Sequence, residues 1–173
     1  MSVPGIILLA FIVIFIFIFN SLIMKRNLVD NMLAIITAHL KNRAGMILKL
    51  LEAAGGEVPE SADTLKALAE EYTSSAAVSR KCDLDCRTTA LLNTVVKQMQ
   101  NQSDLPETEE VKTLLESLKE NAELLANARL SYNKIVQDFN HAITVAPGKF
   151  FGRLMRLSPR ELWEIPAQTE NNC

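Results

Sequence analysis

The hydrophobic pattern changes character at one place near the start of the chain. Across residues 6–24, 17 of 19 positions are apolar and none is charged, and every charged side chain lies at Lys25 or later. A helix over 5–24 would be about 30 Å long, enough to cross a hydrocarbon core. In lipid such a helix satisfies its own backbone hydrogen bonds. Apolar side chains cover every face over residues 6–19, which argues against the core helix of a soluble domain. A cleaved signal peptide needs a basic start and a small-residue cleavage site. Residues 1–5 carry no basic side chain and residues 15–24 contain no such site. Residues 1–24 are therefore read as a retained anchor. Lys25 and Arg26 follow the apolar run directly, so the positive-inside rule places Met1 outside and the rest of the chain in the cytoplasm.

Beyond the anchor the pattern takes a helical period. Val29, Leu33, Ile36, Leu40, Ile47 and Leu50 recur at three- and four-residue steps. Arg43 falls on the same stripe, where its stem could cover apolar surface while its head reaches the edge. Nothing breaks the helix between anchor and stripe until Gly55-Gly56, so a continuous rod is expected. Pro59, Ser61 and Asp63 mark the next start, with Leu65, Leu68 and Tyr72 on its stripe. The pattern thins after residues 73–75 and resumes through Leu84, Leu91, Leu92, Val95, Val96 and Met99, which leaves open whether 59–101 is one helix or two. Residues 101–106 read as a turn, and Glu107, Glu109 and Glu110 suit the first turn of a helix. Leu114, Leu118, Asn121, Leu125, Ala128, Tyr132, Ile135, Phe139 and Ala142 then form a heptad seam of coiled-coil type, ending at Pro147-Gly148. An amphipathic stripe must be buried against partners. The expected fold is all-α: one transmembrane helix running into an antiparallel bundle of four, or three, long helices. The expected divisions are 1–24 as anchor, 25–148 as cytoplasmic bundle and 149–173 as tail.

The tail opens with four basic residues and no acidic one over 149–160. Lys149, Phe150, Phe151, Arg153 and Arg156 are the candidate lipid-facing positions. Two readings stay open, a basic coil covering the end of the bundle and a helix lying on anionic lipid. With four antiparallel elements the tail returns toward the membrane.

Charge and chemistry narrow the function. A net charge of -2 and a pI near 5.7 exclude a nucleic-acid binder that relies on a whole-domain positive field. Cys82 and Cys86 share a helix face, but two thiolates do not complete a zinc site, and two plain thiols are expected. His39 and His141 each stand alone on a predicted helix, without a nucleophile or orienting partner nearby. Asp83 and Asp85, two residues apart, diverge on a helix. Nucleotide-binding, hydrolase-elbow and zinc-protease motifs are missing from the sequence. No cofactor, metal or small-molecule substrate is expected.

Several landmark residues resemble the LemA family of bacterial membrane-anchored helical proteins. They are Phe19-Asn20, Leu22, Arg26-Asn27 and Val29, then His39-Leu40-Lys41-Asn42-Arg43. Near the carboxy terminus come Arg129, Tyr132-Asn133, Val136, Phe139-Asn140, Ile143, Pro147-Gly148 and Leu162-Trp163-Glu164. Leu33, Gly45 and Leu48-Lys49 depart from the family pattern. The resemblance implies an inner-membrane anchor with a four-helix cytoplasmic bundle, and carries no enzymatic activity.

Asn27, Arg43, Arg129, Tyr132, Asn133 and Asn140 form a candidate structural or interaction face. Asn133 and Asn140 are expected to bond across to the first helix near Asn27 or Asn31. The leading expectation is a non-enzymatic scaffold at the bacterial inner membrane, self-associating or joined to another membrane-associated protein. Membrane remodelling or lipid sensing through 149–160 is the alternative. An enzyme or metal protein built on His39, His141, Cys82 and Cys86 is the weakest.

Overall fold

The computed structural model describes residues 3–54, 60–74, 77–101 and 108–164. Five helices account for nearly all of them, and the described residues contain no strand. Helix α1 (Val3–Ala54) is unbroken from the apolar run through the first stripe. Its most apolar 18-residue stretch has a mean hydropathy of 3.1 and is only 6% buried. That helix is long and apolar enough to cross a membrane.

The open question over residues 59–101 resolves as two helices, α2 (Glu60–Ser74) and α3 (Val78–Asn101). The second begins at Val78, earlier than the thinned apolar pattern indicates, because buried Lys81, Asp85 and Thr88 hold stripe positions that an apolar count skips. Helix α4 (Glu109–Thr144) starts with the Thr108 hydroxyl accepting a hydrogen bond from the Val111 amide. Glu109 and Glu110 occupy its first turn, while Glu107 lies outside the described residues. The tail folds into a short helix, α5 (Gly148–Leu154). Leu157 N–H donates to Gly152 O and Arg156 N–H to Arg153 O, a paired closure that ends α5 with Arg156 in the left-handed region, φ 53°.

The chain packs as two compact units. The described parts of Met1–Leu33 and Ser131–Leu162 form the first, and those of Ala34–Leu130 and Trp163–Cys173 the second. In the first, Leu22 and Val29 of α1 are buried along with Tyr132, Val136, Phe139 and Ile143 of α4 and Phe151 of α5. In the second, the α1 stripe (Ile36, Leu40, Ile47, Leu50) is buried along with Leu65 of α2, Leu84 and Val95 of α3, and Leu118 and Leu125 of α4. The seam positions Leu118, Asn121, Leu125, Ala128, Tyr132 and Phe139 are buried, while Leu114, Ile135 and Ala142 are half-buried at its margin.

Candidate membrane-interface site

The first unit holds the tail against the apolar part of α1. The rings of Phe15 and Phe151 meet edge to face at 5.1 Å, and Phe15 stacks on Phe19 at 6.3 Å. Phe150 lies edge-on to Phe151 at 5.5 Å. Phe151 is therefore buried inside the unit, not turned outward as the tail pattern suggests. Phe150 and Leu154 are the outward apolar side chains of α5, 68% and 60% exposed. Lys149, Arg153 and Arg156 are exposed with them. The tail thus forms a short helix that packs on α1.

Beyond α5 the chain is fastened to α4. Tyr132 Oη donates to the Glu161 carbonyl at 2.9 Å. Asn140 makes a two-point clamp on Arg160, its Nδ2 donating to the carbonyl at 2.9 Å and its Oδ1 accepting from the amide at 2.8 Å. The Arg160 guanidinium in turn reaches Asp30 of α1 at 2.9 Å. The expectation that Asn140 bonds to the first helix is thus corrected. Bonds to both the N–H and the C=O of one residue use both ends of an amide side chain, and the partner is the returning tail backbone. Asn27 is exposed and Asn133 half-buried. Burial raises the Tyr132 pKa, so its hydroxyl keeps the proton it donates.

The second unit contains a buried charge network that the sequence reading did not assemble. Asp85 on α3 accepts from Arg43 Nη1 of α1 at 3.1 Å and from Arg129 Nη2 of α4. The Arg43 and Asp85 side chains are only 5% and 3% exposed. Arg43 does not extend its head to the edge of its stripe, because a carboxylate is available inside. Arg129 also lies over the Trp163 ring, 5.7 Å from guanidinium carbon to centroid. Asp83 points the other way, to exposed Arg80 and Arg87. The two aspartates diverge as their spacing requires. The signal for the network was present in the sequence: Arg43 and Asp85 each interrupt an apolar stripe, with opposite charges.

The remaining candidate chemistry does not converge. His141 is exposed, and His39 is half-buried with its carbonyl accepting from Asn121 Nδ2 at 3.3 Å. Cys82 is a free buried thiol whose Sγ donates to the Glu164 carbonyl, and burial raises its pKa. Cys86 is equally buried. Burial, then the charge of Lys41, lowers the pKa of Lys81. Among the described residues no cluster of three or more His, Cys, Asp or Glu is arranged to hold a metal ion.

Residues 32–173 match the family model described as the LemA family, which is most of the chain. The protein belongs to the LemA family. No curated protein and no solved structure matches it. It is accordingly a membrane-associated, all-helical LemA-family protein with a packed bundle. The family match begins within α1 and continues past α5, so it takes in both the Arg43–Asp85–Arg129 network and the Tyr132 and Asn140 clamps.

Proposed function

We propose that this protein is a non-enzymatic scaffold, anchored once in the bacterial inner membrane through residues 1–24, that presents its helical bundle to further copies of itself. The observation that carries the reading is the continuity of α1: one unbroken helix supplies both the exposed apolar segment and a buried stripe of the bundle. Motion of the anchor is thereby confined to the bilayer while the bundle stays attached to it. Tethering raises the local concentration, so weak contacts between copies become effective. Leu28 and Ile35, a heptad apart on α1, are exposed apolar side chains suited to such a contact. Identical copies favour a symmetric, closed assembly.

Lys25 and Arg26 support an orientation with Met1 outside and the bundle in the cytoplasm. One experiment addresses both orientation and assembly. A membrane-impermeant, lysine-reactive crosslinker is added to intact and to permeabilised cells, and the full chain is followed by immunoblot. The expected result is dimers or larger species only after permeabilisation. Crosslinked species of equal yield in intact cells overturn the orientation, and monomer alone in both samples overturns self-association.

A further inference from the structure

The first unit leaves a set of cations without acidic neighbours. Residues 142–160 contain no Asp or Glu, and among the described residues Lys149, Arg153 and Arg156 form no ion pair. Lys149 and Arg153 are four apart on α5 and share a face. Arg156 occupies a left-handed position at which glycine costs least, so a cationic side chain stands where the backbone alone would favour none.

Beside these cations lies an apolar groove of about 580 Å³ between α1 and α5. Phe11, Phe15, Phe150 and Phe151 supply its aromatic walls, and Lys149 and Arg153 also line it. The volume falls in the roughly 300–1,000 Å³ range of ligand sites. The two kinds of wall decide what can fill it. Phe11 and Phe15 belong to the uncharged run of α1, and Lys149 and Arg153 stand on the α5 side. An amphiphile matches both, with an apolar chain against the rings and an anionic head at the cations. A basic helix with exposed Phe150 and Leu154 is also the type that settles between headgroups and chains.

We propose that the groove between α1 and α5 binds one anionic phospholipid, its phosphate on Lys149 and Arg153 and an acyl chain against Phe11, Phe15 and Phe150. The proposal rests on α1 being the membrane anchor. The lipid then fills the space between anchor and tail, and the charge of the leaflet sets how firmly α5 is held.

The test uses the full chain in nanodiscs of phosphatidylcholine with a minor fraction of phosphatidylglycerol, with native mass spectrometry counting the lipids retained on release. One phosphatidylglycerol per chain is expected in preference to phosphatidylcholine. The double variant Lys149→Gln, Arg153→Gln should lose that preference by about 30-fold. The double variant Lys97→Gln, Lys112→Gln, exposed on α3 and α4, should keep it, and Lys149→Arg, Arg153→Lys should restore it. Equal retention of the two lipids by the native chain, or an unchanged preference after neutralising Lys149 and Arg153, overturns the site. Incorporation is scored separately: a chain that enters the discs without preference removes the site alone, and one that never enters removes the anchor with it.

Discussion

Asp85→Ala is expected to destabilise the bundle by about 3–5 kcal/mol, the usual consequence of removing one partner from a buried ion pair. The reason lies in what remains. Arg43 is 5% exposed, and its guanidinium has its charge balanced by the Asp85 carboxylate at 3.1 Å. With the carboxylate gone, the arginine loses its buried ion pair with Asp85 yet keeps its charge, because a guanidinium does not deprotonate. Arg129 loses the same partner but is 21% exposed, so it can turn toward solvent at lower cost. At about 2–4 °C per kcal/mol for a chain of this size, the midpoint of thermal unfolding should fall by roughly 6–20 °C. The pair Arg43→Met, Asp85→Leu should recover most of the loss, because apolar replacement of both buried partners is close to neutral or better. Thermal unfolding of detergent-solubilised protein followed by circular dichroism measures all three. A single Asp85→Ala variant that melts within a degree of the native chain would show that the network does not hold α1, α3 and α4 together.

Gly148→Ala should loosen the tail while sparing the second unit. A Cβ at this position would run into the carbonyl oxygen of Ala142 in α4, a backbone atom that cannot swing aside. The turn must shift, and α5 shifts with it, away from Leu22 and Phe15. Overpacking of this kind costs about 1–3 kcal/mol, and here the strain is relieved locally by opening α5. Amides closing α5 and its end, such as Lys149, Met155 and Leu157, should then exchange with solvent roughly 10- to 100-fold faster. Amides of α3 should be unchanged. Hydrogen exchange read by mass spectrometry separates these regions. Equal protection of residues 149–157 in the variant and native protein would show that α5 does not depend on this close approach.

Much of the fold was legible because its signals are local. The anchor is a run without charge, the α1 stripe and α4 seam are periodic, and Gly55-Gly56 and Pro147-Gly148 are strong breakers. What escaped the reading depends on pairing between distant segments. Arg43 alone reads as a snorkelling side chain, and Asp85 alone as an ordinary carboxylate; only packing shows that each answers the other. Asn140 and Tyr132 were recognisable as residues needing partners, but their partners are the backbone of Arg160 and Glu161, and a backbone carbonyl leaves no mark in sequence. Phe151 reads as lipid-facing among other apolar and basic residues, and is buried because Phe15 lies opposite. The amphipathic pattern of the tail gives its type; the direction in which each ring points comes from the helix it meets.

Alkaline carbonate extraction of cell membranes, with intact-mass analysis of the extracted and retained fractions, addresses the bilayer attachment of α1 most directly. The full-length chain should remain with the lipid pellet, its amino-terminal residues still present. Recovery of the protein in the supernatant, or a mature chain starting beyond residue 20, would contradict it.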